Sequence, residues 1–364
     1  MQRCLKILVF MVILIVLAYL YRAELKETTM QYLTLSEDNV FNALKSKLNL
    51  ALNTTIKMHI EGQGKDNTSN IASKYLNPFD VLRGENGVIF VETTDRMQPP
   101  SLVLCAVESA ARVYKDRPVV YFMKGLNDTD SEDAVRKYLP ALSSLKNVYV
   151  FPLRMEEVFK DTPLLSWYKK VDPKREVYWT HVSSDGCRLA LIWKHGGIYF
   201  DTDIISIQKI PHQYFLAEES SQYFANSAFG FPSHQEFTWK CMEDFVRHYR
   251  GAVWGYQGPN LITRIFNQYC PAPSGNEAVD TVCGNITCLL IKRLYPISYS
   301  AWKRYFEVWD KEPTFGDSYA LHLWNFMNRD EHRTMVPGSN TLVEHLYQKY
   351  CPSTYGLTGK NNMV

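Results

Sequence analysis

Two acids, Asp201 and Asp203, are the side chains of this sequence best placed to do chemistry. They close the run His195, Gly196, Gly197, Ile198, Tyr199, Phe200, Asp201, Thr202, Asp203. The apolar residues between glycines and acids predict a short buried strand. Side chains alternate along an extended chain, so the two carboxylates leave its tip on one side and Thr202 on the other. Neighbouring anions repel. A divalent cation with a preference for hard oxygen ligands relieves that repulsion, and a nucleotide diphosphate can complete its coordination. The bland reading of a bare Asp-x-Asp is an acidic surface turn, so the flanking sequence has to decide.

That flank is residues 183–194, Ser-Ser-Asp-Gly-Cys-Arg-Leu-Ala-Leu-Ile-Trp-Lys. Ser183 or Ser184 can cap a helix whose apolar face carries Leu189, Ile192 and Trp193. Asp185 and Arg188 are three apart and share the opposite face. A surface ion pair is the plain reading of those two, and it would be worth little. Gly196 suits the left-handed residue that stops a helix, and Gly197 lets the chain swing into the strand. Helix start and strand end then face one pocket.

Taken together, residues 184–203 form the pattern Ser-Asp-x-x-Arg-Leu-Ala-x-Ile-x-Lys-x-Gly-Gly-Ile-Tyr-x-Asp-x-Asp. It resembles the DXD sugar-binding region of retaining glycosyltransferases of GT-A fold. Residues 88–100, 254–259 (Trp-Gly-Tyr-Gln-Gly-Pro), 295–299 (Tyr-Pro-Ile-Ser-Tyr) and 319–325 (Tyr-Ala-Leu-His-Leu-Trp-Asn) bring the chain closer to one branch. That branch holds the α-1,4-N-acetylglucosaminyltransferases and α-1,4-galactosyltransferases (Gb3 synthases). The likeness runs over roughly residues 84–355.

The resemblance implies Mn²⁺ held by Asp203 directly and by Asp201 directly or through water, with Asp201 also touching the donor ribose. It implies a late histidine completing the metal shell, and His322 is the candidate; a core histidine bonded to a backbone carbonyl is the rival view. Asp185, Arg188 and Thr93 would hold the donor, and Trp254, Gln257 and Gly258 the acceptor. The expected reaction moves a sugar from a UDP donor to a terminal galactose in α-1,4 linkage, and no protein base is assigned. N-acetylglucosamine to a mucin-type O-glycan is expected first, galactose to a glycolipid of lactosylceramide type second. A catalytically silent lumenal lectin is the alternative of another class, and the intact Asp185, Arg188, Asp201 and Asp203 argue against it.

The elements that must position these residues follow from the rest of the chain. Its 364 residues allow one large domain with appendages or two modest ones. A net charge of +2 points to no nucleic-acid partner. Residues 7–21 are an unbroken apolar run behind Arg3 and Lys6. This predicts a signal anchor at 7–22 with a cytosolic tail at 1–6, and a cleaved signal peptide is the competing reading. Either places the remainder in the secretory lumen, and a Golgi type II membrane protein is expected. Acceptor sequons at Asn53, Asn67, Asn127 and Asn285 fit that placement. Residues 23–83 read as a stem and 84–355 as the catalytic domain, with a donor half at 84–210 and an acceptor half at 211–355.

Within that domain, strands at 88–92, 118–123 and 148–151 alternate with helices at 101–114 and 131–144. The alternation predicts an α/β fold with a mostly parallel sheet and ligands at the carboxyl ends of its strands. Residues 161–178 read as irregular, 227–231 and 318–325 as strands, 236–249 and 340–350 as helices, and 356–364 as a frayed tail. No Gly-x-Gly-x-x-Gly or P-loop is present. Of eight cysteines, Cys4 precedes the apolar run, and the odd remainder leaves at least one unpaired in any monomer. Cys270, Cys283, Cys288 and Cys351 are expected to supply most of the disulfides.

Overall fold

The computed structural model describes residues 77–127, 137–270, 279–311 and 314–361. The expected tail, anchor and most of the stem, with Asn53 and Asn67, lie outside the described residues. No helix among the described residues is long and apolar enough to cross a membrane. Asn127 and Asn285 are both exposed.

The strands that carry the site begin as uninterrupted apolar runs. β1 (Val88–Glu92) and β2 (Val119–Met123) are buried at every position, as strands covered on both faces must be. With β3 (Val148–Pro152) and β4 (Gly197–Phe200) they form the parallel run β3-β2-β1-β4. The sheet continues through β7 (Tyr223–Phe231), antiparallel to β4, to β6 (Phe215–Ser220), β9 (Ile286–Leu289) and β8 (Thr281–Cys283). All strands but β7 and β8 therefore point the same way. One sheet runs through both 84–210 and 211–355.

Helices cover both faces. On one side α1 (Ser101–Val113), α5 (Leu342–Tyr350) and a small antiparallel pair, β5 (Ile204–Ser206) with β10 (Ala320–His322), enclose a core that includes Ala106, Phe200, Ile205, Leu321 and Tyr347. On the other, α2 (Trp179–His195), α3 (Glu236–Arg247) and α4 (Pro259–Tyr269) bury Leu189, Phe229, Phe245 and Ile262. The final helix α6 (Pro352–Asn361) closes against α1. Its first turn docks there because the Ser353 and Thr354 amides both donate to the buried carboxylate of Glu108.

Several sequence expectations change. α2 starts at Trp179, so Ser183 and Ser184 lie inside it and cap nothing. The helix is buried nearly all round, and its polar face points into the protein. The strand expected over 318–325 stops at His322: Trp324 takes a left-handed backbone, φ 57°, and a 3-10 turn (Asn325–Asn328) follows. Residues 161–178 include a short helix (Leu164–Tyr168) whose Trp167 is core. The tail expected to fray is helical to Asn361. Of the helix expected at 131–144, residues 131–136 lie outside the described residues, and in the remainder Pro140–Leu142 forms a 3-10 turn. The disulfides join Cys105 to Cys351 and Cys270 to Cys283, leaving Cys288 buried and free. Cys105 sits on the buried face of α1, where helix periodicity made it look like ordinary core.

Candidate active site

Two glycines turn α2 into β4. Gly196 has φ 65° and Gly197 φ 102°, a left-handed region that costs a side-chain-bearing residue about 1–3 kcal/mol. A Cβ on Gly197 would lie 2.3 Å from the Gly87 carbonyl. That close approach lets β4 dock in parallel register beside β1, Ile198 opposite Val88. β4 then delivers Asp201 to the carboxyl edge of the sheet, where its amide donates to the Ser227 carbonyl at 2.8 Å.

The chain turns once and starts β5, which pairs antiparallel with β10. In that register His322 stands opposite Ile204, one residue past Asp203. The imidazole Nε2 lies 3.1 Å from Asp203 Oδ1. The Asn325 amide donates to Asp203 Oδ2 at 2.8 Å. Ligand atoms of Asp201, Asp203 and His322 all lie within 4.8 Å of one another. Two carboxylates and an imidazole at that spacing could together hold one divalent cation. Tyr295 and Trp324 pack edge-on against the imidazole, and its Nδ1 is buried with no hydrogen-bond partner among the described residues.

Burial would raise the Asp203 pKa, but the charge and hydrogen bond of His322 and the Asn325 amide hold it below the ordinary value. His322 is raised against the pull of burial, chiefly by the Asp203 charge. Asp201 is raised by burial in spite of Arg188. The pair is thus unequal: Asp203 is the firmer anion.

Behind the acids stands Arg188. Its Nη1 lies 2.9 Å from Asp201 Oδ1 and donates to the Asn226 carbonyl at 2.8 Å. Its Nη2 donates to Ser184 Oγ at 2.9 Å and lies 3.5 Å from Asp185 Oδ1. The guanidinium sits over the Tyr199 ring, whose hydroxyl also donates to Asp201 Oδ1, at 2.7 Å. Asn226 Nδ2 donates to Asp185 Oδ1 at 2.7 Å. Burial lifts the Asp185 pKa to about 6, against Arg188 and Asn226. Asp185 and Arg188 are therefore a buried network that aims Asp201, and the surface ion pair is excluded. Thr93 follows β1 directly, and its hydroxyl donates to the Thr180 carbonyl of α2 at 2.8 Å.

Residues 254–258 divide. Trp254 is 43% exposed and stacks on Phe326, with ring centroids 3.7 Å apart. His181 and Tyr178 meet it edge-on, making an aromatic shelf beside Asn325. Gln257 does not fit its expected role of meeting sugar hydroxyls. It is 2% exposed, accepts from the Arg250 amide and donates to the Phe245 carbonyl, so both ends of its side chain are used internally. Gly258 lies against Asn226: an added Cβ would come within 2.9 Å of its Nδ2. It thus serves the network behind the donor site. Asn226, Tyr199, Asn325 and Phe326 escape a reading of the sequence. Three of them sit on other strands or turns and reach the site only through tertiary contact. Tyr199 lies within the motif but reads as strand core.

A carboxylate pair and an imidazole at the carboxyl edge of a mostly parallel sheet form a candidate divalent-metal site, and comparison with known proteins makes the chain a glycosyltransferase. Residues 100–222 match the glycosyltransferase sugar-binding region containing the DXD motif, and residues 230–358 match the alpha 1,4-glycosyltransferase conserved region. The chain is 52% identical to human alpha-1,4-N-acetylglucosaminyltransferase over 76% of its own length and 81% of that protein. It is 38% identical to human lactosylceramide 4-alpha-galactosyltransferase over 74% and 76%. The chain belongs to the α-1,4-glycosyltransferase family.

Proposed function

We propose that this protein transfers N-acetylglucosamine from UDP-GlcNAc, with retention, to the 4-hydroxyl of a terminal β-galactose on mucin-type O-glycans. The observation that carries the reading is the Asp201, Asp203 and His322 cluster backed by Arg188. The choice of donor rests on the greater identity to the N-acetylglucosaminyltransferase. Galactose from UDP-Gal onto a lactosylceramide-type glycolipid is the second reading, favoured by the galactosyltransferase relatives.

Asp201, Asp203 and His322 would hold Mn²⁺. When bound, the ion offsets the charge of the diphosphate as it departs. Arg188 holds Asp201 in one orientation through Asn226, Ser184 and Tyr199. Asp185 and Asn226 present polar atoms toward the donor sugar's hydroxyls. Trp254, backed by Phe326, offers an exposed apolar surface on which a galactose ring can stack, which orients its 4-hydroxyl and excludes water. A UDP-sugar has an α bond, so an α product means retention. The departing diphosphate can take the acceptor's proton on the same face. A lumenal catalytic domain tethered to the Golgi membrane by residues 7–22 completes the reading.

The test sets UDP-GlcNAc against UDP-Gal on a β-galactoside acceptor, with Mn²⁺ and with EDTA. Transfer of GlcNAc that stops in EDTA and returns with Mn²⁺ is expected. Preference for UDP-Gal would move the assignment to the second reading. Sugar binding without UDP release would leave a lectin.

A further inference from the structure

One imidazole at the aromatic shelf has no chemical role above. His181 lies in the first turn of α2, and Ser184, Asp185 and Arg188 follow it on the same helix. At offsets of three, four and seven residues these side chains share one helix face. Asp185 and Arg188 are buried, whereas His181 is exposed. A single stripe of polar side chains thus runs from the network behind Asp201 out to the surface.

Three distances fix where the ring stands. Trp254 and Phe326 stack with centroids 3.7 Å apart, and the His181 centroid is 4.6 Å from the first and 5.1 Å from the second. A ring capping the stack would lie much farther from one member than from the other. His181 therefore flanks the pair, steeply inclined to both, at 71° and 83°. Phe326 directly follows Asn325, whose amide donates to Asp203. The charges of Arg188 and Asp203 both reach the imidazole. His181 thus borders the acceptor shelf close to the donor site.

Among the described residues the ring nitrogens of His181 make no hydrogen bond or ion pair. Loss of surrounding water, then the Arg188 charge, lowers its pKa to about 4. Near neutral pH the ring is uncharged, so one nitrogen donates and the other accepts. A sugar hydroxyl can answer either. In the free protein water can serve both nitrogens. A sugar stacked on Trp254 displaces that water, and affinity is lost unless its own hydroxyls replace the bonds.

We propose that His181 is a specificity-determining residue of this transferase: its imidazole hydrogen-bonds a hydroxyl of the terminal galactose stacked on Trp254, other than the one that attacks. This inference rests on the proposed transfer to galactose. Stacking fixes which face of the sugar meets Trp254 and leaves the ring free to turn in its own plane. One directional contact at the rim removes that freedom and selects the hydroxyl presented to the donor.

The experiment compares wild type, H181F and H181Q as full-length chains in detergent with Mn²⁺. The acceptors are a β-galactoside and its analogues lacking the 2-, 3- or 6-hydroxyl of the galactose. H181F keeps a ring against Trp254 and Phe326 and removes both nitrogens. Its acceptor KM should rise about fivefold to tenfold, while kcat, donor KM and UDP affinity stay within about threefold. H181Q returns a donor and an acceptor and should bring the acceptor KM back toward the wild-type value. One of the deoxy analogues should cost the wild type about as much as H181F costs on the full acceptor, and should cost H181F almost nothing more. H181A repeats the comparison if H181F does not fold. An unchanged acceptor KM in H181F would overturn the inference. So would a donor KM or UDP affinity that changes in step, or deoxy penalties as large in H181F as in wild type for all three analogues. If wild type transfers to galactose and H181F is unimpaired, only this inference falls. A wild type that transfers neither sugar sinks the functional reading and this one together.

Discussion

Arg188 is the residue on which the geometry of the donor site depends. It stands between Asp185 and Asp201 and also ties the Asn226 carbonyl and Ser184 in place. Its guanidinium remains charged because the nearby acids outweigh the cost of burial. Removing one partner of a buried ion pair leaves the other charge uncompensated, at about 3–5 kcal/mol. Arg188→Met should therefore lower the free energy of urea-induced unfolding by that amount. It should also abolish transfer, because Asp201 would lose the partner that orients it. An unfolding free energy within about 1 kcal/mol of wild type would show that water screens the pair. Asp185, Arg188, Asp201 and Asp203 were legible together in the sequence because a single helix, glycine corner and strand carry all of them. Asn226 was not, because the register of β7 brings it in from about twenty residues downstream, and no local pattern marks that approach.

At the scale of the element, α2 matters most: it carries the network at one end and the glycine corner at the other. Its last residue, His195, is buried beside Phe79. Burial first, then the neighbouring Lys194 charge, depress its pKa to about 4. The imidazole is therefore neutral in the folded protein above about pH 4. The unfolded chain takes up a proton near pH 6.5. Between those values the unfolded state binds more protons, so stability falls as the pH drops from about 6.5 to about 4, by roughly 3 kcal/mol for this group. His195→Gln should flatten that part of a stability profile measured by urea unfolding; an unchanged slope would assign the acid sensitivity to other groups. The helix end was readable because two glycines have no better use at that spacing. The start was not. Trp179 begins the helix with no side-chain cap, so tertiary packing overrides the serines that read as caps. The strand around His322 was read too long for a similar reason: Trp324 turns left-handed to donate its indole N–H to the Ile297 carbonyl, and a buried hydrogen bond outweighs the strand preference of the sequence.

Across the whole molecule, the site is held by a clamp that closes far from it in sequence. Cys105 and Cys351 are 246 residues apart. Their bond joins α1 to the junction of α5 and α6. Next to it Glu108 accepts the amides of Ser353 and Thr354 and pairs with Arg112. From the same helix, Ser109 accepts the Ser206 amide of β5 at 2.9 Å, and β5 begins one residue after Asp203. The C-terminal helices therefore brace α1, α1 braces β5, and β5 sets the distance between Asp203 and His322. A crosslink that closes so long a loop restricts the unfolded chain more than the Cys270–Cys283 bond, which spans 13 residues. Losing the longer one should cost about 2–5 kcal/mol, and losing the shorter one less. Cys351→Ser should lower the denaturant midpoint more than Cys283→Ser, and should weaken Mn²⁺-dependent UDP binding even where the protein remains folded. If both variants shift the midpoint equally and UDP binding is unchanged, the crosslink stabilises the chain without bracing the metal-binding residues.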